Sequence, residues 1–201
     1  HRDLHLSIRR QRQMCIRDRD AGHGGIDPGA INLGKKEKNC ISLIGMPGAG
    51  KSTVGIVLAK QTGLDFIDTD ILIQNLEQRS LQDIIDRDGY QRLRKIDEKI
   101  ILSLEIRNSV ISTGGSAVYS HEGMTKLGKF GPRIYLKLDL QSLKERVAMA
   151  PARGIASEAG KSFQEIFDER TPLYEDHSDF VIDAGAGTAD VLAKDIIDLI
   201  S

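Results

Sequence analysis

From residue 40 onward, short apolar runs alternate with stretches in which apolar residues recur every three or four positions. Short runs bounded by glycine or charged residues read as buried strands, and the helical spacing reads as amphipathic helices between them. The pattern predicts strands near 40–44, 65–67, 109–112, 133–138 and 179–182. It predicts helices at 51–62, 70–78, 81–86, 91–107, 140–149, 162–174 and 188–200. Strands and helices in alternation predict an α/β domain around a mostly parallel sheet. The stretch APARGIASEAGK at 150–161 is small, glycine-containing and weakly periodic, a candidate mobile loop between two helices.

Residues 1–34 lack this pattern: Arg2, Arg9, Arg10, Arg12, Arg17 and Arg19 are scattered among polar residues without a core face. Transit peptides are poor in acids, so Asp3, Asp18, Asp20 and Asp27 argue against that reading. The chain therefore divides into an N-terminal extension over 1–34, expected to be disordered or artefactual, and one folded domain over 35–201.

Composition narrows the function classes. With 201 residues, 40% hydrophobic and 28% charged, the chain has enough apolar material for one core. Its 28 basic and 29 acidic residues leave a net charge of -1, which gives no global footprint for nucleic acid or an anionic membrane. An anionic ligand must therefore be held by a local arrangement. No apolar run is long enough to cross a membrane or to form a signal peptide. Two cysteines, Cys15 and Cys40, are too few for a disulfide framework, so a cytoplasmic protein is expected.

The most specific motif is GMPGAGKST, Gly45 to Thr53, which fits G-x-x-x-x-G-K-[ST] between a strand and a helix. Gly45, Gly48 and Gly50, with Ala49, let successive N–H groups turn inward, and the helix N-terminus adds positive potential, so the loop can cradle phosphates. Lys51 can reach the β and γ phosphates of ATP, while Ser52 offers a hydroxyl to Mg²⁺ and Thr53 follows it at the phosphate end of the helix. Downstream, FIDTD sets Asp68 and Asp70 two residues apart past a strand, which points both towards the phosphate end of the sheet. One can hold the Mg²⁺ hydration shell and the other can meet a substrate hydroxyl. Alternatively, Asp70 serves only as the N-cap of the next helix.

Taken in order, this P-loop, FIDTD, GYQRLRKID at 89–97, ISTGGSAV at 111–118, a lid-like arginine and ERTPLYEDHSD at 169–179 resemble the motifs of shikimate kinases. The resemblance spans nearly all of 35–201. It implies a P-loop, nucleoside-monophosphate-kinase-like three-layer fold with a five-stranded parallel sheet in the order 2-3-1-4-5 and a mobile lid at about 150–161. It also implies a monomer that transfers the γ-phosphate of ATP to the 3-hydroxyl of shikimate, in chorismate and aromatic amino acid synthesis. On this reading Asp68 holds Mg²⁺ through water and Asp70 is the base. Arg94 and Arg170 clamp the substrate carboxylate, Gly114 and Gly115 bring bare backbone to the substrate, Arg153 closes on the transferring phosphoryl group and Arg146 stacks on adenine. A guanidinium fork matches a carboxylate with two parallel N–H bonds, which a lysine does not provide.

The departures from the family pattern fall on the acceptor side. Tyr90 replaces an acid that can orient an arginine; around Arg94, Leu93 replaces phenylalanine and Asp97 is a shorter acid. Ser116 stands for the third glycine, where its hydroxyl can either crowd or hydrogen-bond the substrate ring. The lid reads ARGIA, with Gly154 in place of a proline. These changes leave open a related kinase for another small hydroxylated carboxylic acid, or a nucleotide-binding module without phosphotransfer.

Within the extension, 7–19 resembles translated sequencing adapter, and DAGHGGIDPGA at 20–30 resembles the zinc loop of N-acetylmuramoyl-L-alanine amidases, with His23 as the ligand. A catalytic zinc needs three protein ligands, and the other histidines do not stand in that family's pattern. A fused fragment without function is expected.

Overall fold

Strand β1 (Ile41–Ile44) is buried at every position, as expected for a strand covered on both faces in a parallel sheet. The computed structural model that establishes this describes residues 40–149, 154–158, 160–185 and 187–201. The extension over 1–34, with His23, and the lid residues 150–153, with Arg153, lie outside the described residues.

β1 is central in a five-stranded sheet with β2 (Asp65–Asp68), β3 (Ser109–Ser112), β4 (Arg133–Lys137) and β5 (Phe180–Asp183). The order is β2-β3-β1-β4-β5, and every neighbouring pair is parallel. This is the topology expected above. The edge strand β5 alternates half-buried and exposed positions, which marks the margin of the core.

The helices are α1 (Lys51–Thr62), α2 (Thr69–Glu77), α3 (Leu81–Asp88), α4 (Tyr90–Ser103), α5 (His121–Phe130), α6 (Leu140–Met149), α7 (Phe163–His177) and α8 (Ala189–Ile200). A 3₁₀ turn covers Ala117–Tyr119. Capping boxes at Ser80 with Asp83 and at Ser162 with Glu165 fix where α3 and α7 begin. The second sets the phase of the helix that carries Arg170. Parallel pairing brings the C-terminal ends of β1, β2 and β3 together, and there the chain delivers the P-loop, Asp68 and the Gly114–Gly115 turn.

Two expectations are corrected. Helix α5 was not predicted, because Gly123 and Gly128 thin its apolar pattern to Met124 and Leu127. The helix expected to reach 107 stops at Ser103: Leu104 is extended (φ −62°, ψ 128°), which turns Leu104 and Ile106 into the core.

Candidate active site

The P-loop leaves β1 through three glycines at positive φ: Gly45 (141°), Gly48 (88°) and Gly50 (94°). A side chain at Gly48 would also lie 3.0 Å from Val147 of α6, so the loop fits closely beneath that helix. Lys51, only 8% exposed, folds back to donate from Nζ to the carbonyls of Gly45 (2.7 Å) and Met46 (2.9 Å). Ala49 is buried and Thr53 faces outward. Arg146 donates to the carbonyl of Ala184 (3.3 Å), and its guanidinium lies beside Gly50, at the rim of the loop.

Ser52 donates from Oγ to Oδ2 of Asp68 at 2.6 Å and lies 3.2 Å from Oγ of Ser112. The other oxygen of Asp68 accepts from the backbone N–H groups of Asp70 (3.0 Å) and Ile71 (3.4 Å). Asp68 is therefore the N-cap of α2, and the alternative role considered for Asp70 belongs to its neighbour. The strand-alternation argument for Asp70 is corrected as well. The chain is already helical at Thr69, so Asp70 is aimed by the first turn of α2.

Asp70 shares a pocket with Lys51, Asp97, Ser116, Arg170 and the segment Gly154–Ala156. An added Cβ at Gly114 would lie 2.8 Å from Oδ1 of Asp70 and 3.0 Å from Oδ2 of Asp97, so both acids crowd the same bare backbone. Asp97 is 1% exposed and accepts from Oγ of Ser116 (3.1 Å) and Oγ1 of Thr69 (3.5 Å). Burial, reinforced by the charge of Asp70, pushes its carboxyl up to about 7, against the opposing pull of those hydroxyls and of Arg170. The hydroxyl of Ser116 is thus committed to Asp97.

Arg170 is fully buried. Its Nε donates to Oη of Tyr119 (3.3 Å), Nη1 to the carbonyl of Gly115 (3.2 Å) and Nη2 to the carbonyl of Ala156 (2.5 Å). Arg94 sends Nη2 to the same Ala156 carbonyl at 3.3 Å, while its Nε is buried without a hydrogen-bond partner among the described residues. No described carboxylate forms an ion pair with either guanidinium. Burying a cation costs several kcal/mol unless charge compensates it. The direct hydrogen-bond partners of both guanidinium groups here are neutral oxygens.

With Tyr90 in place of an acid that can orient an arginine, Arg94 is flanked by aromatic rings instead. Its guanidinium carbon lies 3.6 Å from the ring centroid of Tyr119 and 5.0 Å from that of Tyr90, so two aromatic faces brace it. Leu93 is packed in the core and borders the pocket. Gly154 fits where no Cβ could: one would lie 2.8 Å from the backbone carbon of Leu81 and 2.9 Å from the nitrogen of Gln82, at the start of α3. The structure thus brings together Lys51, Asp70, Gly114, Gly115 and Arg170, with Arg94 joined through Ala156. Ser52 and Asp68 lie on the phosphate side, Arg146 lies at its rim, and Arg153 lies outside the described residues. Sequence reasoning missed Thr69, Tyr119 and Glu169, whose only signal is proximity to motif residues.

A family model described as shikimate kinase matches residues 47–201. The chain is 36% identical over 168 residues to a shikimate kinase of Haemophilus influenzae strain PittEE, covering 82% of this chain and 93% of that protein. It is likewise 36% identical over 168 residues to a shikimate kinase of Pasteurella multocida strain Pm70, covering 82% and 96%. Among solved structures, the shikimate kinase from Acinetobacter baumannii in complex with shikimate superposes with a TM-score of 0.73 at 25% identity, over 81% of this chain and 93% of that one. The shikimate kinase from Aquifex aeolicus superposes with a TM-score of 0.67 at 26% identity, over 80% and 95%.

Proposed function

The chain belongs to the shikimate kinase family, and from that premise we propose how its residues carry out the transfer of a phosphoryl group from ATP to shikimate. The P-loop backbone and Lys51 bind the phosphates, and Arg146 borders the adenine. Asp70 receives the 3-hydroxyl and takes its proton as the γ-phosphate arrives. The observation that carries the acceptor assignment is the convergence of Arg94 and buried Arg170 on one carbonyl beside Asp70. Two cations without direct carboxylate partners, next to a candidate base, suit an acid that also bears a hydroxyl.

Ser52 and Asp68 form an oxygen-only pair whose atoms lie within 2.6 Å, a donor set that suits Mg²⁺, with Asp68 acting through water. Bound there, the ion supplies charge neutralisation at the β and γ phosphates. Arg153 is assigned to the transferring phosphoryl group on its place in the motif.

The reading places the catalytic unit in 35–201 and the lid at about 150–161. The packing of Gly154 against the start of α3 supports closure of that segment over the acceptor. It includes a monomer in the cytoplasm, without nucleic acid. Among the described residues, no helix is long and apolar enough to cross a membrane.

The test is ADP release with MgATP and shikimate, beside quinate, gluconate, threonate and homoserine, by the full chain and by a version beginning at Lys35. Strong turnover with shikimate by both is expected. Turnover only with another acid would reassign the acceptor, and a shortened version that fails to fold would give the extension a structural role.

A further inference from the structure

The two guanidinium groups that meet the acceptor carry like charges and converge on one carbonyl, so something must hold them together and fix their planes. The 3₁₀ turn after Gly114–Ser116 ends on Tyr119, which touches both. Its ring face lies 3.6 Å from the guanidinium carbon of Arg94, and its hydroxyl accepts from Nε of Arg170 at 3.3 Å. The same hydroxyl donates to Oε1 of Glu169 at 2.8 Å. Glu169 is held ionised by its neighbours: Lys161, the last residue of the lid segment, donates to its other oxygen at 2.7 Å.

We propose that Tyr119 is the positioning residue of the acceptor site, bracing Arg94 with its ring and relaying the charge of Glu169 to Arg170 through its hydroxyl. This rests on the function read above and assigns a role that the motifs do not mark. The physics lies in the two ends of a phenol. The π-face attracts a cation without consuming any N–H group, so the donors of Arg94 stay available for a carboxylate. The hydroxyl can accept and donate at once, and donation to a carboxylate makes its oxygen a stronger acceptor for Arg170. Glu169 thereby offsets the buried charge of Arg170 without forming an ion pair that would compete with the substrate. Tyr90 adds a second, more distant face at 5.0 Å, in the position where the family pattern has an acid.

Phenylalanine keeps the ring and loses the relay, whereas leucine loses both. In the full chain, Tyr119→Phe is expected to raise KM for shikimate roughly 3- to 10-fold and Tyr119→Leu roughly 10- to 100-fold. KM for ATP should stay within about twofold in each. Calorimetric titration of shikimate without ATP should rank the three proteins in the same order. A leucine variant whose shikimate KM changes less than about twofold, or whose ATP KM rises as much, would overturn the proposal. Should the leucine variant fail to fold, Tyr119→Phe and Glu169→Gln decide: both must weaken shikimate selectively, and normal shikimate KM in both sinks the relay. If the unaltered protein turns over another acid instead, the acceptor assignment fails, and Tyr119 is judged by the KM for that acid.

Discussion

On the nucleotide side, the phosphate cradle is close in sequence: Lys51 bonds the loop that precedes it, and one strand, loop and helix supply the backbone, with Asp68 and Arg146 added at its margins from β2 and α6. The acceptor side is assembled from five separated segments, carrying Asp70, Arg94 with Asp97, Gly114 to Tyr119, Gly154 to Ala156, and Arg170. The first region works as a contiguous backbone shape. The second works only if distant elements arrive in register, and the departures from the family pattern at Tyr90, Leu93, Asp97, Ser116 and Gly154 fall there. A dispersed site can absorb a substitution because a neighbour from another segment can take over the lost contact. Tyr119, from another segment, braces Arg94, and Asp97 accepts from the hydroxyl that Ser116 brings.

The largest effect is expected where the two regions meet, at the transferring phosphoryl group. Arg153→Ala should lower kcat by roughly several hundredfold, because a lid arginine acts on charge that develops only in transfer. ATP affinity, measured by nucleotide titration, should stay nearly unchanged. Unaltered turnover would remove Arg153 from the mechanism.

Next comes Asp97, which separates the regions by pH. Its folded carboxyl titrates near 7, above the ordinary value of 3.8, so the folded state holds the proton more tightly than the unfolded chain. The stability this contributes is fully present below about pH 4 and is lost as pH rises through about 7, a change of a few kcal/mol. Asp97→Asn removes the titration, and the hydroxyls of Ser116 and Thr69 can rotate to accept from the amide. Urea midpoints should therefore favour the variant increasingly from pH 4 to pH 8. Parallel pH curves for the two proteins would show that Asp97 does not titrate in this range.

Legibility in the sequence follows the same division. Strand runs and the P-loop were readable because each is local, and the sheet order came with the motif series. The role of Asp68 as N-cap was misplaced by two residues, since strand periodicity says nothing about where the next helix begins. Helix α5 was hidden by its two glycines. Tyr119 was unreadable for a different reason: its meaning depends on residues 94, 169 and 170 arriving around it, and no spacing along the chain encodes that meeting. Arg170 was legible only through the motif series, and its complete burial is the work of the fold.

Arg94→Lys tests how far aromatic bracing compensates for the lost acid. An ammonium keeps the charge and gives up the planar fork whose central carbon lies over the ring of Tyr119. KM for shikimate should rise roughly 10- to 100-fold, with KM for ATP little changed. Equal increases for both substrates would mean that the two regions are not separable and that the variant is misfolded.

The smallest effect is expected at Gly154, where the acceptor side borders the lid. A methyl group there would stand 2.8 Å from the backbone carbon of Leu81 and 2.9 Å from the backbone nitrogen of Gln82, and neither atom can rotate away. The segment must lift from α3, which moves the Ala156 carbonyl that now joins Arg94 to Arg170. Overpacking of this kind costs on the order of 1 kcal/mol where a loop can shift. Gly154→Ala should therefore raise KM for shikimate by roughly three- to tenfold, with kcat falling less. The atoms nearest that methyl group belong to Leu81, Gln82 and Ile85 of α3, so KM for ATP should hold. If shikimate KM is unchanged, the lid does not need its close fit against α3, and the loss of the family proline is simple tolerance. If it rises while Gly154→Pro is worse still, the glycine is the residue that lets this lid shut against its own helix.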